Sequence, residues 1–170
     1  MTLPDLTPDC RNCDALCCVL LAFDAGSAFA LNKPACVACH HLTDDNLCRI
    51  HAVLADQGFA GCLAFDCHGA GQRVTQQVFK GRSWRDDPSL LPAIDQAFRL
   101  QRRLHEALVL LISSAKLPLT EAQQAARQSL LATLAAPRDE AALQGLEPLA
   151  ALAQTALFLT SLRAVTAPRR

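Results

Sequence analysis

Nine cysteines crowd into residues 10–67 of a 170-residue chain, and none lies beyond. They are Cys10, Cys13, Cys17, Cys18, Cys36, Cys39, Cys48, Cys62 and Cys67. Four of the five histidines, His40, His41, His51 and His68, lie in or beside the same stretch. Thiols at this density constrain folding, because cross-links or metal–thiolate bonds can then hold a segment that apolar burial alone would not. An odd number leaves one thiol over in any all-disulfide scheme. The opening residues, MTLPDLTPDC, have neither a basic n-region nor an apolar h-region, so no secretory signal peptide is expected. No apolar run approaches the roughly 18 residues a spanning helix needs, and the longest candidate, Ala107 to Ala115, is too short. The expectation is a cytoplasmic protein, where reduced cysteines favour metal binding or redox work over structural disulfides.

Formal net charge is zero, with acids and bases interspersed. A duplex nucleic-acid binder needs a basic face to neutralise phosphates, and a membrane-surface protein needs a basic cluster. Neither is present, and the tail Pro168-Arg169-Arg170 is too short to supply one. No nucleic-acid or membrane partner is expected. Half of the residues are apolar, enough for a core in one compact domain or two small ones.

Periodicity changes sharply along the chain. If CRNCDALCC is helical, Cys10, Cys13 and Cys17 share a face, and Cys18 points about 100° away. Residues 24–35 read as turn and loop. A turn at TDDN comes after CVACHHL, and Arg49 to Gln57 is expected as a short helix. Its stripe is Ile50, Val53 and Leu54, with Gly58 as the stop. Gly61, Gly69 and Gly71 allow close backbone approach, and Gln72 to Phe79 is a second short helix with Val74 and Val78 inward. FKGRSWRDDP is a loop, with Trp84 able to pin it against the helical half. From Pro88 onward Leu90, Ile94, Ala97, Leu104, Leu108 and Leu111 recur at helical spacing. Pro92 fits only in the first turn. Leu117-Pro118 ends that helix, and Thr120 with Gln123 forms a capping box for the next, through about Leu134. Asp139 caps a short helix to Leu146, and Pro148 opens the last, to about Val165. The fold class expected is mainly α. A small irregular cysteine-rich metal-binding region spans residues 1–83, and an α-helical bundle spans 84–170.

Thiolates are soft ligands suited to zinc or iron–sulfur clusters, and either centre takes four of them. Four thiolates on Zn²⁺ leave two net negative charges, which Arg11, Lys33, Arg49 and Arg73 lie near enough in sequence to offset. One pairing, Cys10/Cys13 with Cys36/Cys39, makes two CxxC knuckles as in a zinc ribbon and strands five cysteines. His40 or His41 could complete a Cys₃His site or be turn histidines. His51 could ligate or donate to a sulfur, and His68 could lower the Cys67 pKa or be an ordinary loop histidine. Asp66 reads as a group supporting the ligands or as merely solvated. His105, mid-helix among charged neighbours, needs no function.

CRNCDALCC, then CHHLTDDNLCRIH, then GCLAFDC together resemble the YkgJ-like cysteine-cluster proteins, described as a zinc- or iron-chelating domain. With KPA, DCHGAGQ and GRSW added, the pattern is similar to the N-terminal region of some actinobacterial pentapeptide-repeat proteins, although no such repeats occur here. The resemblance covers roughly residues 10–110. It implies a ligand set of Cys10, Cys13, Cys17, Cys18, Cys39, Cys48, Cys62 and Cys67, and leaves Cys36 outside. Many relatives carry Arg-Pro before the penultimate cysteine, where this chain has Gln57-Gly58-Phe59-Ala60-Gly61. Flagellin lysine N-methylase carries a similar cluster, which points toward iron–sulfur. The function implied is a metal-binding protein holding an iron–sulfur cluster or zinc, for redox sensing, electron transfer or cluster-assisted catalysis. The alternative is a structural zinc module whose helical half binds a protein partner. No Ser-His-Asp series or carboxylate pair marks a hydrolase.

Overall fold

A computed structural model of the chain describes residues 2–163. Among these the regular structure is helical, with two isolated β-bridges and no strand. Helix α4, Leu91–Ser113, is the axle. The Asp87 side chain accepts from the Ser89 N–H to cap a 3₁₀ turn over Pro88–Leu90, and Pro92 sits in the first turn of α4. The expected stripe of Ile94, Ala97, Leu104, Leu108 and Leu111 is buried, joined by Phe98, while Leu90 is half-buried in the turn before it. Each fully buried leucine or phenylalanine contributes about 2 kcal/mol.

Helix α5, Glu121–Ala135, opens on the expected capping box. The Thr120 hydroxyl accepts from the Gln123 N–H at 3.2 Å, and the Thr120 N–H donates to the Gln123 side chain at 2.9 Å. Asp139 caps α6, Glu140–Gln144, and Pro148 lies in the first turn of α7, Glu147–Ser161. The expected end of this helix at Val165, and the tail Pro168-Arg169-Arg170, lie outside the described residues. Two buried arginines close the carbonyl end of α5. Arg138 donates to the carbonyls of Thr133, Leu134 and Ala136 and grips Glu147 with two bonds. Arg73 donates to the carbonyls of Ala135 and Ala136.

The cysteine-rich half is built from shorter pieces than the spacing suggests. Cys10–Asn12 is a 3₁₀ turn capped by Asp9, Cys13 is extended, and Ala15 is left-handed at φ 54°. Only then does α1, Leu16–Leu20, begin. Cys10, Cys13 and Cys17 therefore do not lie on one continuous helix. The reason is local: the Asp9 carboxylate takes the Arg11 N–H, and Thr75 takes the Asp14 N–H, so the backbone leaves the helical path between them. The helix expected over Arg49 to Gln57 is likewise reduced to a 3₁₀ turn, His51–Val53, and irregular turns after it. Leu54 is buried, but Val53 is exposed. Gly58 stops the segment at φ 77°, a backbone a side chain would strain. Residues 24–35 form a loop closed by a Phe23–Lys33 bridge, and TDDN turns the chain between bridged Leu42 and Cys48. Helices α2, Ala60–Ala64, and α3, Ala70–Arg73, come next. A π-turn over Val74–Val78 extends α3 and buries Val74 and Val78.

Leu16, Val19 and Leu20 of α1, Ala70 of α3 and the π-turn valines join the buried residues of α4 in one apolar cluster. Trp84 packs on its edge and donates from Nε1 to the Asp14 carbonyl at 2.9 Å. The loop after the π-turn is thus tied back to the first cysteine segment. Arg85 adds bonds to the Asn46 side chain and the Thr43 carbonyl.

Candidate metal centre

Four short pieces of backbone carry the eight thiols of the resemblance. The opening segment supplies Cys10 and Cys13, and α1 supplies Cys17 and Cys18. The bridged turn supplies Cys39 and Cys48, and α2 with the approach to α3 supplies Cys62 and Cys67. Backbone bonds weld these pieces together. The Cys39 N–H donates to the Cys18 carbonyl at 3.0 Å, and the Leu42 N–H donates to the Cys39 carbonyl at 2.9 Å. Cys13 lies against α3 where Gly71 leaves room: a Cβ at Gly71 would stand 2.6 Å from the Cys13 sulfur. The Cys17 and Cys18 sulfurs are 3.9 Å apart, and all nine cysteines are free thiols.

Mutual proximity shows in the electrostatics. Burial pushes the Cys13 thiol up to about 12, with Cys67 and Cys10 adding to the rise. Burial likewise raises Cys62 to about 11, and the charges that add to it are those of Cys18, Cys39 and Cys48. Cys48 is raised by burial and then by Cys18 and Cys39, and Cys10 by burial and then by Cys18, Cys67 and Cys48. Within the adjacent pair the contact between the two sulfurs raises Cys17 and lowers Cys18, and either sulfur can be the donor. Cys10, Cys13, Cys17, Cys48 and Cys62 are thus each raised in part by other thiols of the set.

Among the described residues, no three His, Cys, Asp or Glu side chains stand close enough in these orientations to hold a metal ion. Thiols are the donor type a soft metal takes, and seven of the eight are partly shielded, with Cys10 exposed.

Of the four basic residues expected to offset thiolate charge, one is placed for it. Lys33 is 5% exposed, and burial lowers its pKa, partly offset by the thiols of Cys39, Cys18, Cys36 and Cys17. Arg73 is spent on the end of α5, and Arg11 and Arg49 are not buried. Cys36 is exposed on left-handed backbone at φ 58°. The His40 and His41 rings lie 3.7 Å apart between centroids, tilted by 47°, and His41 meets Phe59 edge-on beside the Phe23–Phe29 stack. The side chain of His51 is exposed, and His68 pairs with Asp66 at 3.3 Å. Asp66 also accepts the His68 N–H, and so organises the left-handed turn before α3.

His105 is more than an ordinary mid-helix residue. It is fully buried, and its Nδ1 donates to the His68 carbonyl at 2.5 Å. Nε2 is therefore the unprotonated nitrogen, and it is buried without a partner, as is the side-chain nitrogen of Gln101 one turn earlier. Burial holds His105 neutral, its pKa down to about 4. The signal was in the spacing: Ala97, Gln101, Leu104, His105 and Leu108 share the buried stripe of α4.

No family model matches the chain, and no solved structure does. Over 104 residues it is 38% identical to a protein of Bacillus subtilis (strain 168) named Uncharacterized protein YybG. The match covers 61% of this chain and 37% of that protein. The matched stretch is thus well under half the length of the relative, whose name states no activity.

Proposed function

We propose that the cysteine-rich half holds a thiolate-ligated metal centre, an iron–sulfur cluster in preference to zinc, in a protein of the YkgJ-like type. The support for this reading is a set of eight free thiols, drawn from four backbone pieces, whose charges act on one another. The candidate ligands are Cys10, Cys13, Cys17, Cys18, Cys39, Cys48, Cys62 and Cys67. Eight thiols exceed the four a single cubane takes, and His40 and His41 are engaged with Phe59. A centre of this kind supplies one-electron redox chemistry or oxidant sensing. This chain's part is to surrender thiol protons, hold the ligand sulfurs on α1, α2 and the bridged turn, and screen them with the π-turn and α4.

Because Cys10, Cys13, Cys48 and Cys62 are held protonated, loading must expel protons. Anaerobic reconstitution with iron and sulfide tests the reading. Equal uptake of iron and acid-labile sulfide supports it, and zinc uptake with no sulfide retained replaces the cluster by the second reading. That second reading is a zinc-stabilised module whose bundle binds a protein. The observation favouring it is apolar surface on the bundle: Leu146 and Leu157 are exposed, and Leu110, Leu117, Leu159 and Leu162 line an open groove of about 300 Å³.

A further inference from the structure

We propose that the neighbouring thiols of Cys17 and Cys18 form a two-point chelating site for a trivalent arsenical, whose arsenic atom bonds both sulfurs. The inference does not rest on the metal-centre reading, because it needs two thiols and no third ligand.

Successive residues on a helix diverge by about 100°. The Cys17 and Cys18 sulfurs nevertheless stand 3.9 Å apart, so the two side chains lean together on α1. Among the described residues no other two cysteine sulfurs are in hydrogen-bond contact. Both are free thiols, and both are half-buried, so each is held and each can still be reached. The backbone beneath them is fixed. Leu16, Val19 and Leu20 of the same helix are buried and belong to the main apolar cluster. The Val19 N–H donates to the Ala15 carbonyl at 3.1 Å, and the Cys18 carbonyl accepts the Cys39 N–H at 3.0 Å. A ligand that bridges the two sulfurs therefore orders two short side chains and little else, and so small an ordering cost favours binding.

The pair is badly placed to close on itself. A relaxed disulfide has its Cα atoms at least about 4.4 Å apart, whereas consecutive Cα atoms are about 3.8 Å apart. A Cys17–Cys18 disulfide would strain or unwind α1, which the core holds in place. A single bridging atom meets no such obstacle. Two bonds of about 2.3 Å, the length of a zinc–thiolate bond, that meet between a right angle and the tetrahedral angle set their sulfurs about 3.3–3.8 Å apart. The observed gap lies just beyond that range, within reach of a small side-chain adjustment. Zinc or a cubane needs four donors, and no third donor stands with this pair. Trivalent arsenic that carries one group of its own is pyramidal, thiophilic and complete with two sulfurs. With a monosubstituted arsenic oxide, R–As=O, the reaction balances with no change of oxidation state. Both S–H bonds break, two As–S bonds form, and the arsenic-bound oxygen leaves as water with the two thiol protons.

The full chain, reduced and washed with a chelator, is mixed with one equivalent of phenylarsine oxide. Free thiols are then alkylated, and the cysteines that escaped alkylation are located by peptide mass spectrometry. The proposal expects Cys17 and Cys18 to be the protected pair, in an adduct that survives excess monothiol and is removed by a small dithiol. Cys17→Ser and Cys18→Ser each leave one thiol of the pair and should weaken capture about a hundredfold, the advantage of a second tethered contact. Cys36→Ser should capture the arsenical as the parent does. Protection of any other pair, undiminished capture by both serine variants of the pair, or an adduct that a monothiol strips overturns the proposal. Mapping on the parent decides the matter if a serine variant does not fold. Metal uptake is read separately. A chain that takes the arsenical at this pair, yet holds neither zinc nor iron and sulfide, upholds the proposal and defeats the metal-centre reading. A chain that holds metal, yet takes the arsenical elsewhere or not at all, does the reverse.

Discussion

A cysteine's placement decides which thiols matter. Cys36 is exposed, left-handed and outside the resemblance pattern, whereas Cys48 is paired through the Leu42 bridge and shielded. Cys36→Ser is expected to keep full metal content, and Cys48→Ser to lose it, as read by elemental analysis of anaerobically purified variants. Loss with Cys36→Ser and retention with Cys18→Ser would favour the two-knuckle pairing of Cys10/Cys13 with Cys36/Cys39. His105 gives a second test at the same scale. Its folded pKa is depressed to about 4 from an ordinary 6.5. The neutral ring therefore contributes its full stability above pH 6.5, and the contribution is lost as pH falls toward 4, by about 3 kcal/mol in all. Asn at this position can offer its amide N–H where Nδ1 was and does not titrate. Urea midpoints of the parent should fall across that window, and those of His105→Asn should fall less by that amount. Parallel curves would mean that the buried ring is not neutral.

At the scale of elements, α3 and α5 make opposite predictions. Gly71 of α3 gives way to the Cys13 sulfur, so Gly71→Ala must displace either the thiol or the helix. An overpacked contact of this sort costs about 1–3 kcal/mol, and metal content should drop with it, because Cys13 is a candidate ligand. Thr120→Ala removes the capping box of α5 and should cost about 1 kcal/mol while leaving metal content untouched. Thermal melts paired with metal analysis distinguish the two. Gly71→Ala with full metal and parental stability would show that the Cys13 side chain is not held where α3 places it. The bundle elements were the legible ones. Thr120, Gln123, Asp139 and Pro148 announce helix starts through local chemistry that long-range packing has no need to override. The cysteine-rich elements were harder, since Asp9, Thr75 and Asn46 redirect the backbone through side-chain bonds between residues as many as 61 apart. Spacing alone made one helical face of Cys10, Cys13 and Cys17, and nothing local to that segment signals the left-handed Ala15 that breaks it.

For the whole molecule, α1, α3 and the π-turn contribute to the same apolar cluster as α4. Metal removal should therefore raise amide exchange throughout residues 10–67 first. Most helical signal should survive from α4, α5 and α7, with a lower melting midpoint because one side of their core has loosened. Unchanged amide protection in the cysteine-rich half after complete removal of metal would show that burial alone folds it. The helical bundle could be read from the sequence, because helical periodicity and helix caps are local signals. The roles of Lys33, Arg73 and His105 could not. Each depends on which carbonyls surround a buried polar group, and those carbonyls come from other segments: Val19 and Val37, Ala135 and Ala136, His68. The central claim, that these thiols hold a metal centre, is tested most directly by purifying the full chain without oxygen and counting iron, acid-labile sulfide, zinc and free thiols per molecule. The account predicts bound metal with a matching deficit of reactive thiols, and equal iron and sulfide with a brown absorption if the cluster reading is right. Metal-free protein that titrates for all nine cysteines, and takes up neither zinc nor iron and sulfide on reconstitution, would contradict it.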